Sequence, residues 1–156
     1  DEHFIISCGQ FLADQWSDGR PLAELSLSEA LTSLLVWPLN RDLDRQAPTQ
    51  ITIPTGAERR VEWDHEWARV SLRVQEAFGW TETPRFMDGR LPLRIELTDP
   101  AGRPVAITSD LESFWKGPYQ QVRSELRGRY TKHHWPEDPF SVAPTARTKR
   151  ASTRLK

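Results

Sequence analysis

Leu91-Pro92-Leu93-Arg94-Ile95-Glu96-Leu97-Thr98 is the stretch on which the fold turns. Leu91, Leu93, Ile95 and Leu97 alternate with Pro92, Arg94, Glu96 and Thr98. A strand here puts every large apolar side chain on one face. Asp99-Pro100-Ala101-Gly102 supplies turn residues, and residues 104–108 read as a returning strand. A hairpin with one apolar face needs a cover. The cover reads directly downstream. Ser109 or Asp110 caps a short helix through Trp115, Gly117-Pro118 breaks it, and Pro118 suits the first turn of the next helix. Tyr119, Val122 and Leu126 mark the inner side of that helix, with Arg123, Arg127 and Arg129 off it.

Upstream, residues 81–89 form a loop with Pro84, Asp88 and Gly89. Trp67, Val70, Val74 and Phe78 stand at helical spacing, which predicts a helix over residues 66–78 with Gly79 at its C-terminal end. Residues 50–53 alternate as a strand, Pro54-Thr55-Gly56 turns, and residues 59–63 are the hairpin partner. Residues 9–48 read as helical. Ser26-Leu27-Ser28-Glu29 is a capping box, and Leu27, Ala30, Leu31, Leu34 and Leu35 line one face until Pro38 stops the helix near Trp37. A short helix over residues 41–47 precedes Pro48. Beyond Gly128 the chain is irregular, and after Phe140 its composition predicts disorder.

The fold class is therefore α+β: an N-terminal helical segment, then a small, largely antiparallel sheet with packed helices, and an extended basic C-terminal tail. The expected organisation is a helical connecting segment over 1–46, a domain over 47–140 and a disordered basic tail over 141–156. No internal repeat is visible.

Charge is uneven. Residues 141–156 hold Arg147, Lys149, Arg150, Arg154 and Lys156 and no acid, while the other 140 residues carry 16 bases and 22 acids. An acidic body with a basic tail is not the footprint of a domain that grips nucleic acid with its whole surface. Mean hydropathy is -0.63, and no apolar run approaches the ~20 residues of a membrane helix. Asp1-Glu2-His3 lacks the basic start of a signal peptide. A single cysteine, Cys8, excludes an internal disulfide and a Cys-rich zinc site. The one methionine is Met87, so the chain reads as a fragment or a processed product.

Catalytic patterns are missing. No G-x-x-x-x-G-K-[ST] run assembles amides and a lysine around a nucleotide, and there is no G-x-G-x-x-G and no G-x-S-x-G. His65-Glu66 has no second histidine four residues on, and the adjacent rings of His133-His134 point apart, so no metal site is expected. Asp64 with Glu66, and Glu137 with Asp138, are ordinary surface pairs without a pocket to bring them into acid–base work. Of seven tryptophans, Trp37, Trp67 and Trp115 follow apolar helical stripes and read as packing residues; Trp80 and Trp135 are open.

One segment carries binding chemistry. Arg123, Arg127, Arg129, Tyr130, Lys132 and His133 interleave cations with an aromatic ring. Such a segment suits a phosphate backbone with Tyr130 stacked on a base. It equally suits a solvated helix end whose cations complement the dipole. Arg147, Lys149 and Arg150 of the tail join the nucleic-acid candidates, and Trp135, Pro136 and Phe140 are candidates for protein contact.

The segment Thr108-Ser109-Asp110-Leu111-x-x-Phe114-Trp115-x-Gly117-x-Tyr119, continuing through Gly128-Arg129-Tyr130-x-Lys132-His133-x-Trp135-Pro136-Glu137-Asp138-Pro139, resembles the C-terminal signature of HrpB-type bacterial DExH-box (DEAH-box) helicases. Upstream pieces agree in order: Ala47-Pro48-Thr49-x-Ile51-Thr52-Ile53-Pro54-Thr55-Gly56, then Arg73-Val74-Gln75-Glu76-x-Phe78-Gly79, which looks like the family's central helix, then Thr83-Pro84-Arg85. Thr131 departs from a run that is usually Tyr-Pro-Lys-His in the family. The resemblance covers residues 47–150, with a looser match over 9–46. It implies a cytoplasmic bacterial ATP-dependent RNA helicase as the whole protein, with this chain as its C-terminal accessory domain. ATP and Mg then belong to the motor domains of the same polypeptide, and this part is expected to be a monomer without catalytic residues or cofactor. RNA is a candidate partner and a membrane is not. Bracing the motor, contacting single-stranded nucleic acid and docking a protein partner are three roles the sequence leaves open, beside a stand-alone α+β ligand-binding domain.

Overall fold

Strand formation in residues 91–98 follows from the alternation of leucine and isoleucine with polar groups, and this strand organises the molecule. The computed structural model describes residues 2–19, 21, 24, 26–35 and 39–146. The chain divides into two compact units, Asp1–Arg45 and Gln46–Lys156.

The first unit is helical. Helix α1 spans Glu2–Ser17, α2 spans Leu27–Ser33 and α3 spans Leu39–Gln46, its last residue in the second unit. Helix α1 begins at Glu2, upstream of the helical stretch expected from Gly9 and within the helical segment expected over 1–46. Ser26 caps α2 as expected, its hydroxyl accepting from Glu29 N at 3.1 Å. The helix ends earlier than the proline stop implies. Ser33 Oγ bonds back to Ala30 O at 2.8 Å, and Leu34 and Leu35 close the last turn onto Leu31 and Thr32. Local side-chain bonding of this kind competes with helix propagation. Trp37 and Pro38 lie outside the described residues. The expected buried face is only partly buried: Ala30 is covered, Leu34 and Leu35 are half-buried, and Leu27 and Leu31 are exposed.

In the second unit, β1 (Gln50–Thr52) and β2 (Glu58–Arg60) form an antiparallel hairpin. The second sheet has five strands: β3 (Glu62–Trp63), β4 (Ala68–Arg73), β5 (Arg85–Phe86), β6 (Leu91–Thr98) and β7 (Pro104–Thr108). Strand β6 pairs antiparallel with β5 and β7, and parallel with β4; β3 pairs antiparallel with β4. Two helices follow, α4 (Leu111–Lys116) and α5 (Tyr119–Arg129), with Asp110 capping α4 by accepting from Ser113 N at 3.0 Å.

Residues 66–78 do not form the expected helix. Ala68, Val70 and Leu72 are buried while Arg69 is half-buried and Ser71 and Arg73 are exposed, the period of a strand. They register with Leu93, Ile95 and Leu97 on β6. Val74–Ala77 is a single 3-10 turn, so the resemblance to a central helix reduces to that turn. Its Glu76 is buried, accepting from Arg59 at 2.6 Å and from Arg73 N at 2.9 Å. The predicted partner of β1 also divides: Val61 is buried, and the chain turns there from one sheet to the other.

The apolar faces of β4 and β6 bury six side chains at 3% exposure or less. Each leucine or isoleucine so covered contributes roughly 1.5–3 kcal/mol. Phe78, Phe114, Trp115 and Tyr119 complete the core as a chain of tilted and edge-on rings, and Trp115 Nε1 donates to Trp80 O at 2.8 Å.

The stretch expected to be a disordered tail is placed at its start. Val142 packs on the core, and Thr145 N donates to Gln75 O at 2.9 Å. Gly79 takes φ +75, with Val142 O at 3.5 Å from where a Cβ would sit. A side chain there would be strained in this conformation. Residues 147–156 lie outside the described residues.

Candidate nucleic-acid interface

The final turn of α5 and the coil after it are built on hydrogen bonds that run back into the core. Tyr130 N donates to Leu126 O at 2.8 Å, and His133 N donates to Tyr130 O at 3.0 Å, closing the turn with Thr131 in place of proline. Tyr119 is fully buried, and its hydroxyl donates to Pro136 O at 2.9 Å. Burial pushes its phenol pKa well above the usual range.

These bonds redistribute the candidates. Arg123 is consumed: its Nε donates to Trp135 O at 3.1 Å and its guanidinium pairs with Glu137 at 3.0 Å. Tyr130 is half-buried. Its hydroxyl donates to Asp99 Oδ2 at 2.7 Å and accepts from Arg103 at 2.9 Å, and its ring stands edge-on to His133. His133 is half-buried; burial, and then the charge of Arg73, hold its pKa below the ordinary imidazole value. Both favour the neutral ring. Arg127, Arg129 and Lys132 are exposed and have no ion pair among the described residues. Arg147, Lys149 and Arg150 lie outside the described residues.

The protein-contact candidates fare differently. Trp135 is a core residue, 6% exposed, its indole N–H donating to Tyr130 O at 3.0 Å. Pro136 is half-buried beneath Tyr119. Phe140 alone is exposed, after a turn in which its N–H reaches Asp138 at 2.9 Å. No aromatic patch forms from the three.

Two features were not visible in the sequence. The first is Asp99, 1% exposed, which accepts from Ala101 N, Arg103 N, Arg103 Nε and Tyr130. Burial alone would raise its pKa; the bonds from Arg103 N, Tyr130 and Ala101 N, with the Arg103 charge, outweigh it and hold the carboxyl below its ordinary value. The second is the outer face of the five-stranded sheet. Trp67 is half-buried there, with the guanidinium carbons of Arg69 and Arg94 at 5.4 and 6.0 Å from its ring centroid. Reading Trp67 as part of a helical stripe hid this arrangement. Among the described residues, no group of three metal-binding side chains occurs and no helix is long and apolar enough to cross a membrane.

A family model described as ATP-dependent helicase C-terminal, HrpB type, matches residues 10–139. The chain belongs to this family. The ATP-dependent RNA helicase HrpB of Escherichia coli K12 is 43% identical over 134 residues, which is 85% of this chain and 17% of that protein. A crystal structure of the E. coli DExH-box NTPase HrpB superposes with a TM-score of 0.81 at 38% identity, over 95% of this chain and 19% of the other. A second, of the E. coli DEAH/RHA helicase HrpB, gives 0.64 at 34% identity, over 86% and 18%. The HrpB-type domain thus spans less than a fifth of the relatives it matches. Its basic segment is a clamp on its own fold, with exposed cations left at the end of α5 and on the outer sheet face.

Proposed function

We propose that this chain is the C-terminal accessory part of a bacterial cytoplasmic ATP-dependent RNA helicase, and that it braces the motor segments of the same polypeptide. ATP and Mg are handled by those segments, and the accessory part contributes no catalytic group. A contact to RNA through its exposed cations accompanies the brace. The observation that carries the brace is the apolar surface of the helical unit. Ile5 is 68% exposed, Ile6 54%, Trp16 60% and Leu27 56%. Four large apolar side chains left in water on two short helices mark a surface that a larger protein covers. The share of the relatives' length outside this chain supplies the occupant.

The test compares the double substitution Ile5→Ser with Trp16→Ser in two settings. In the 156-residue chain these side chains are already in water, and the melting temperature is expected to hold within about a degree. In the complete polypeptide they lose a covering surface, and the melt of the part that holds them should fall measurably. Equal melts for variant and wild type in both settings would sink the brace.

A further inference from the structure

The outer face of the five-stranded sheet holds charge that its own packing does not use. Arg69, Ser71 and Arg73 on β4 and Arg94 and Glu96 on β6 lie on the side opposite the buried Val70, Leu72 and Ile95. Register sets Arg69 beside Arg94, two like charges on neighbouring strands. Such a pair is destabilising unless something offsets it. The two carboxylates nearby are both spent on Arg69, Glu62 at 2.6 Å and Glu96 at 3.2 Å. Arg94 and Arg73 have no ion pair among the described residues. Trp67 offers its ring to both Arg69 and Arg94, a cation–π arrangement that holds guanidinium groups in place without neutralising them. Residues two apart on one strand face stand about 6.6 Å from each other, so Arg69 and Arg73 span roughly 13 Å. This is an extended row of cations with two uncompensated members, laid on a rigid sheet.

We propose that this face binds the phosphate backbone of single-stranded RNA, with Arg94 and Arg73 in contact and Trp67 as the positioning residue that holds Arg69 and Arg94 outward. The inference rests on the RNA part of the reading above and names a surface for it other than the α5 segment. The unpaired cations fit a regularly spaced polyanion; an acidic protein segment is the competing occupant.

The experiment follows the fluorescence anisotropy of a labelled 12-nucleotide uridine oligonucleotide titrated with the 156-residue chain, at about 50 and 200 mM salt. R73Q/R94Q is expected to weaken binding at least tenfold at the lower salt. It should also flatten the slope of log affinity against log salt by about 1.4, at ~0.7 for each single-strand phosphate contact. Trp67→Leu should weaken binding, and Trp67→Phe should restore it, because a ring of either kind carries the guanidinium groups. R127Q/R129Q on α5 should bind as the wild type does. R94Q alone removes no contact beyond the Trp67 ring and serves as the second variant if the double one melts early. If R127Q/R129Q loses binding and R73Q/R94Q does not, the RNA lies on α5; the sheet-face proposal is overturned and the RNA reading survives. If the wild type binds no RNA at the lower salt, both fall. If it ignores RNA but binds a polyglutamate peptide in a manner that R73Q/R94Q abolishes, the face is a protein dock and the proposal is overturned.

Discussion

Asp99 shows how one residue changes the meaning of another. Tyr130, by sequence a candidate to stack on a base, has its hydroxyl engaged by a carboxylate 31 positions earlier. Asp99 also takes two backbone N–H bonds from its own turn and the Nε of Arg103. A buried carboxylate with this many donors is stabilised in its charged form, against the cost of burial. Its pKa is lowered in the folded chain, so the unfolded chain takes up the proton first as pH falls. The stability it contributes is complete above the unfolded value of about 3.9 and is lost as pH drops through the lower folded value. Urea unfolding of the wild type and Asp99→Asn should therefore differ by about 1.5–3 kcal/mol at pH 7, the range for hydrogen bonds to a charged group. The difference should shrink below about pH 4. An unchanged difference at pH 2.5 would show that the charge of Asp99 is not its source.

At the scale of elements, legibility followed the range of the interactions that decide each one. Strands β6 and β7 and helices α4 and α5 were readable because alternation, capping and a glycine–proline break are all local signals. Strand β4 was not. Its parallel partner is 25 positions away, and Trp67, Val70, Val74 and Phe78 imitate a helix only because the strand runs straight into a 3-10 turn. The cations of α5 were readable as cations, but not their partners: Arg123 is spent on Trp135 and Glu137 across a coil whose path no periodicity announces. The same holds for residues 141–146, whose small residues and proline suggest disorder while Val142 and Thr145 fasten them over the turn at 74–79. This placement makes a test. A chain ending at Phe140 should melt a few degrees below one ending at Ala146, because the core then loses the packing of Val142 and Gln75 O its donor. Identical melts for the two would mean that the strap adds nothing to the fold.

For the whole molecule, the decisive contrast is between two units of unequal self-sufficiency. The second unit buries an 18-residue cluster that joins the apolar face of the β4–β6 pairing to the aromatic rings of α4 and α5. The first unit has one fully buried hydrophobic residue among its described residues, Ala30, while isoleucines and a tryptophan of α1 face water. Short helices are marginal without packing, since nucleation is costly and propagation adds little. Local opening should follow that difference. Amide hydrogen exchange on the 156-residue chain is expected to show β4 and β6 as the slowest segments, with α1 and α2 exchanging close to the rate of an unstructured peptide. In the complete polypeptide the amides of α1 should slow by tenfold or more, because a surface that covers Ile5 and Trp16 also supplies the packing that α1 lacks alone. Protection of α1 equal to that of β6 in the short chain would contradict this. It would mean that the helical unit is stable by itself, and that its exposed apolar side chains need no cover to keep it folded.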